Sequence, residues 1–81
     1  MAALTRARRD ERRREALALL RQAWRERQRV TLTLQRGRKR PRVTGVVREV
    51  AVSGAFVQLD DGGPVPLHVP VEIIRCVERA A

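Results

Sequence analysis

The clearest pattern of apolar and polar positions lies between residues 42 and 62, where two runs rich in β-branched residues are separated by a small-residue pair. Ser53-Gly54 gives the backbone the freedom that a chain reversal needs. Apolar positions recur at every second residue, as in strands: Val43, Gly45 and Val47 in the first run, then Ala55, Val57 and Leu59 in the second. The pattern predicts a β-hairpin, with Gly45 marking a bend in its first strand.

Three further segments show strand patterns. Residues 30–34 alternate strictly between apolar residues and threonine, which predicts a half-buried strand. Residues 65–69 alternate again, but Pro66 and Pro70 favour an edge position, because proline cannot donate to a ladder. Residues 71–77 predict a last short strand, which a single helical turn could precede.

A helical period occupies residues 10–27. Its apolar positions form one narrow stripe: Ala16, Leu17, Leu20, Ala23 and Trp24. We expect this stripe to cover the strands, with Trp24 closing the core between helix and sheet. Residues 1–9 lack such a period, and they predict a basic, flexible arm ahead of a domain formed by residues 10–81.

One helix followed by about five short strands indicates a fold class. The order predicts a mainly β protein with one N-terminal helix, in which a five-stranded small antiparallel barrel of the SH3-like kind is capped by the helix.

Charge is distributed unevenly along the chain, whose net charge is +9. Residues 1–42 hold fifteen basic and four acidic residues, whereas residues 43–81 hold three and five. This asymmetry predicts an anionic partner, which could be nucleic acid, an anionic membrane surface or an acidic protein.

Two basic segments are candidate phosphate-binding sites. The first is the turn that contains Arg36, Arg38, Lys39, Arg40 and Arg42, where no acidic residue intervenes. The second is the arm and early helix, with Arg6, Arg8, Arg9, Arg12, Arg13 and Arg14. Phosphate contacts position a protein without reading bases, so we expect DNA or RNA to be bound with low sequence specificity.

Catalysis and cofactor binding are disfavoured. A chain of 81 residues buries only roughly 60% of its unfolded surface, which leaves little room for a deep pocket. One histidine and one cysteine cannot complete a zinc site, and we expect His68 on a strand surface and Cys76 buried as a small hydrophobe. We therefore predict no enzyme activity, no cofactor, no metal and no small-molecule substrate. A single cysteine and the lack of an apolar span also favour the cytoplasm and no membrane partner.

A family resemblance rests on four segments: residues 43–50 (VTGVVREV), 55–59 (AFVQL), 65–67 (VPL) and 69–77 (VPVEIIRCV). They resemble the strands of the Sm-like small-barrel family, and within it the bacterial YolD-like proteins. The resemblance implies a nucleic-acid-associated protein, such as a DNA-repair accessory. The chain departs from the Sm-like RNA chaperones because it contains no tyrosine, so His68 is not assigned as an RNA contact.

A second function stays open beside the first. Sm-like rings assemble by adding strands at open sheet edges, and the resemblance therefore also implies a protein-interaction adaptor or a homo-oligomer. The arginine-rich surface would then meet an acidic protein.

Overall fold

A computed structural model describes residues 2–80, with side chains described from residue 8 onward. One helix precedes five antiparallel strands, which confirms the mainly β class with one N-terminal helix. The sheet order is β4-β3-β2-β1-β5. The elements are α1 (Ala2–Glu26), β1 (Arg29–Leu34), β2 (Arg42–Ala51), β3 (Gly54–Leu59), β4 (Leu67–Pro70), a 3₁₀ turn (Val71–Ile73) and β5 (Ile74–Arg79).

Helix α1 begins at Ala2, well before the start predicted near Asp10. The early segment is rich in alanine, leucine and arginine, which favour the helix without needing an apolar stripe. The apolar period in the sequence therefore predicted only the part of the helix that packs against the sheet. The division into a flexible arm and a domain stays a prediction.

The helical stripe is confirmed for Ala16, Leu17, Leu20 and Ala23, all of which are buried. The prediction for Trp24 is wrong, because this residue is 41% exposed. It lies in the last turn of α1, where Val46 and Val47 of β2 line the same surface cleft as the indole. The ring thus lies at the margin of the packed face rather than over its centre.

The predicted hairpin is present as β2 and β3, with Ala51 paired to Gly54 across the turn. Gly45 is required by a close approach, since a methyl group there would overlap the backbone carbonyl of Gln58. Strand β1 places its alternate apolar residues in the core, as expected from their period. The largest of the fully buried side chains are Leu20, Val30, Leu32, Val57 and Val69.

The sheet is strongly bent, because the 3₁₀ turn connects its two edge strands. A flat five-stranded sheet would separate β4 and β5 by about 19 Å, whereas a 3₁₀ segment of this length advances only about 6–8 Å. The turn is anchored on both sides by backbone bonds, from Val71 N to Ser53 O and from Gln35 N to Ile73 O, each 2.8 Å. The predicted edge position of β4 is confirmed. Over residues 2–80 no ladder joins β4 to β5, so closure into a barrel stays a prediction.

Candidate nucleic-acid interface

The basic turn connects β1 to β2 through a tight two-residue reversal. Arg36 and Lys39 exchange both backbone hydrogen bonds, each 3.0 Å long. Gly37 follows Arg36 with a φ of 63°, which suits the first central position of a primed hairpin turn. The side chains of Arg36, Arg38, Lys39, Arg40 and Arg42 are all exposed. The backbone therefore fixes the spacing of these cations while their side chains face solvent.

Arg42 differs from the other cations of the turn. Its guanidinium lies 3.8 Å from a carboxylate oxygen of Glu78 on β5. No acidic residue lies within the turn itself, but sheet pairing brings this glutamate of β5 to Arg42. Within the described part of the chain, no carboxylate lies at ion-pair distance from Arg36, Arg38, Lys39 or Arg40.

The early helix supplies a second group of cations. Arg9, Arg12 and Arg13 line a cleft of about 380 Å³ whose opposite wall comes from the 3₁₀ turn and the start of β5. Glu72 is the acidic residue among the lining groups. Arg8 is exposed but does not line this cleft, and Arg14 lines a neighbouring one with Asp10. The side chain of Arg6 lies outside the described residues.

Arg75 joins the two groups of cations, although no pattern in the sequence singles it out. It lines the cleft with the helical arginines, and its Nε donates a hydrogen bond to Oε1 of Gln35. The side-chain nitrogen Nε2 of Gln35 in turn donates a hydrogen bond to the backbone carbonyl of Gly37, at 3.3 Å. The helix, β5 and the basic turn thus form one surface, the basic surface, made of Arg9, Arg12, Arg13, Arg75, Arg36, Arg38, Lys39 and Arg40.

The groups suited to catalysis are scattered. His68 is exposed, as expected, and its ring centroid lies 4.9 Å from that of Phe56. Asp60 is engaged with Arg29, which raises the pKa of that guanidinium through the hydrogen bond and the opposite charge. Among residues 8–80, no three potential metal ligands cluster together.

Cys76 is exposed, so the prediction that it is buried is wrong. It lines an open cleft between β5 and α1, and its thiol lies 3.4 Å from Glu78 Oε1. The hydrogen bond to Glu78, aided by partial desolvation and by the negative charge, raises the pKa of the thiol. A raised pKa leaves less of the nucleophilic thiolate at neutral pH.

No helix in the described part of the chain is long and apolar enough to cross a bilayer. Comparison of the chain with family models, curated proteins and solved structures found no match. The resemblance to Sm-like and YolD-like proteins therefore stays a prediction. The function is therefore inferred from the basic surface and not from related proteins.

Proposed function

We propose that this chain is a non-enzymatic nucleic-acid-binding protein whose basic surface contacts the phosphate backbone. The observation that carries the proposal is the continuity of that surface, in which Arg75 and Gln35 link the helical cleft to the exposed turn. Arginine suits this role because its guanidinium can donate two parallel hydrogen bonds to one phosphate.

Electrostatics favour a polyanion over a single small anion. Cations from three elements face solvent along one surface, and among the described residues only Glu72 brings a negative charge into the cleft. Such an array gains most from a ligand that carries charge at regular intervals and releases counterions on binding. Because these contacts are to phosphates, the proposed binding discriminates little between sequences.

The test measures binding to duplex and structured nucleic acid as a function of salt. Each neutralised phosphate contributes about −0.9 to the slope of log affinity against log salt for duplex DNA. Replacing Arg36, Arg38, Lys39 and Arg40 by glutamine should flatten that slope by up to about 3.6, because four contacts are lost. The fold should persist, since these exposed residues belong to no part of the core.

The matched comparison removes equal charge at different places. Arg38→Gln with Lys39→Gln should flatten the slope by up to about 1.8, whereas Arg21→Gln with Arg79→Gln should change it less. The guanidinium of Arg79 lies 3.6 Å from a carboxylate oxygen of Glu26, which partly neutralises its charge. Neither Arg21 nor Arg79 belongs to the basic surface. Equal effects of the two pairs would show that only net charge matters. Absence of wild-type binding at about 50 mM salt would remove the proposal altogether.

The open sheet edges support a second candidate, a strand-pairing adaptor or homo-oligomer. Within residues 2–80, β4 and β5 each pair on one side only. Exposed edges are templates for strand addition, although the two prolines beside β4 weaken it there. Light scattering decides this question: a mass above that of one chain without nucleic acid favours the adaptor, and a monomer that gains mass only with nucleic acid favours the first proposal.

The small-barrel fold is proposed on the same structural grounds. The short link between the edge strands, the close approach at Gly45 and the irregular pairing of β2 all support a sheet curled toward closure. Curvature of this kind is how small antiparallel sheets approach barrels.

A further inference from the structure

A second surface lies at the other end of helix α1, around the single tryptophan of the chain. Trp24 is 41% exposed and lines a cleft of about 330 Å³ with Arg27, Val46, Val47 and Arg48. The valines belong to β2, so the cleft lies between the end of α1 and that strand, and it combines an indole with two guanidinium-bearing residues. Among the residues that the structure describes, no carboxylate lines this cleft. We refer to these five residues as the tryptophan cleft.

The backbone is irregular at both arginines of this cleft. Arg27 has a φ of 53° just after the helix ends, a position where glycine is usual because a side chain is strained there. Arg48 falls where β2 and β3 shift register: Val47 pairs with Val57 and Glu49 pairs with Phe56. A bulge of this kind re-aims the side chain that it carries. Two separate departures from regular structure thus bring cationic side chains to one exposed indole.

The neighbouring acids do not cancel these charges in the cleft. The carboxylate of Glu26 lies 3.6 Å from Arg79, and Glu26 does not line the cleft. Glu49, the residue after Arg48, is exposed, and it does not line the cleft either. Among residues 8–80, no carboxylate lies at ion-pair distance from Arg27 or Arg48, so the site offers a partly exposed indole beside positive charge.

We propose that the tryptophan cleft binds an unpaired nucleotide, with the base stacked on Trp24 and the flanking phosphates contacted by Arg27 and Arg48. Base stacking on aromatic rings tolerates every base, and it requires a base that is free of its neighbours on one face. This inference rests on the proposed nucleic-acid function and narrows it to single strands, loops or frayed ends.

The two surfaces can act on one strand. Arg13 and Trp24 lie on the same helix, and the rise of about 1.5 Å per residue separates them by roughly 16 Å. Stacked nucleotides advance about 3.4 Å each, so roughly five nucleotides cover that distance. A strand held at its phosphates by the basic surface could therefore place a base in the tryptophan cleft.

The test uses the intrinsic fluorescence of Trp24, which reports on this residue alone because the chain has no other tryptophan. The probes are a single strand of thymidylate residues long enough to reach both surfaces and an abasic strand of equal length. Anisotropy of a labelled strand measures affinity in parallel. We expect the thymidylate strand to quench the indole and to bind more tightly than the abasic strand, which keeps the phosphates but has no bases.

Variants separate stacking from folding. Trp24→Leu should weaken binding of the thymidylate strand by about 5- to 150-fold, the range for loss of one stacked base, and leave binding of the abasic strand unchanged. Trp24→Phe should restore much of the difference. Arg27→Gly should relieve the backbone strain and keep or raise the melting temperature while weakening strand binding. Arg21→Gln is the control for Arg27→Gly, because Arg21 lies on α1 close to the cleft in sequence but does not line it.

The outcomes distinguish this inference from the function on which it rests. If both strands bind equally and neither quenches Trp24, the tryptophan cleft is not a nucleotide site, although phosphate binding by the basic surface stands. If neither strand binds at low salt but duplex DNA does, only the tryptophan-cleft inference falls; if duplex DNA does not bind either, both proposals fall. If Arg27→Gly and Arg21→Gln bind alike, the role given to Arg27 is wrong.

Discussion

One added methyl group at Gly45 should strongly destabilise the sheet. This glycine lies in the middle of β2, opposite Val30 of β1 on one side and Leu59 of β3 on the other. A Cβ there would overlap the carbonyl oxygen of Gln58 and approach the Cα of Leu59 to 2.9 Å. These are backbone atoms, so no rotamer change can relieve the overlap, and β2 and β3 would have to move apart.

The magnitude follows from comparing Gly45 with two other glycines. Overpacking that shifts backbone costs typically 1–3 kcal/mol and occasionally more, and we expect Gly45→Ala to cost about 3 kcal/mol or more. A chain of this size has a total stability of about 4–12 kcal/mol. Gly37→Ala meets no atom within 4 Å but has a φ of 63°, so it should cost about 1–2 kcal/mol from strain alone. Gly63→Ala meets neither obstacle and should be close to neutral.

Urea denaturation followed by far-ultraviolet circular dichroism measures all three variants. The expected order of destabilisation is Gly45 first, Gly37 second and Gly63 last, with similar denaturant slopes. If Gly45→Ala unfolds at the same midpoint as Gly63→Ala, then β2 and β3 are not as close as the structure has them. The bent sheet, and with it the argument for a small barrel, would then have to be abandoned.

Two further predictions concern the helix and β5. Leu20→Ala should cost about 2–5 kcal/mol because the side chain is completely buried; the matched control Leu19→Ala, at 47% exposed, should cost much less, and equal losses in urea denaturation would contradict the packing of α1. Glu78→Gln should lower the raised pKa of Cys76 and so speed its reaction with a disulfide reagent near pH 8. Glu72→Gln is the control for this reaction, and identical rates in the two variants would exclude the hydrogen bond as the cause.

The strands were predictable because their signals are local. Alternation of apolar residues located β1, β2 and β3, and the prolines around β4 indicated its edge position. Ser53-Gly54 located the turn between β2 and β3 to within one residue, since Val52 and Ser53 form the turn and Gly54 begins β3. In each case the residues that decide the conformation lie within a few positions of one another.

The two wrong burial predictions, for Trp24 and Cys76, share a different cause. Whether each residue is buried depends on how far an element distant in sequence extends over it. Trp24 has the right helical phase but lies in the last turn of α1, where the sheet covers it incompletely. Cys76 has the right strand type but lies on an exposed part of β5. Periodicity reports which side of an element faces inward, and it does not report where the neighbouring element ends.

Only the clustered cations of the candidate site could be predicted from the sequence, because Arg75 joins them through the pairing of distant strands. Clusters of arginine in the turn and the early helix stand out along the chain, whereas Arg75 stands alone between Ile74 and Cys76. Its importance comes from the pairing of β5 with β1, which brings Gln35 and the basic turn beside it. No local pattern encodes that register.

The early helix connects local stability with the proposed function. Residues 8–15 are all exposed, so this part of α1 is held by its own backbone bonds rather than by packing. The like-charged pairs Arg8 with Arg12 and Arg9 with Arg13 are spaced i,i+4, which destabilises a helix by a few tenths of a kcal/mol each. A phosphate between two such guanidiniums turns that repulsion into attraction. Asp10 and Glu11 offset part of the repulsion through their i,i+4 and i,i+3 spacing to Arg14. Under the proposed function, a polyanion in the cleft formed with Arg75 would relieve the remainder.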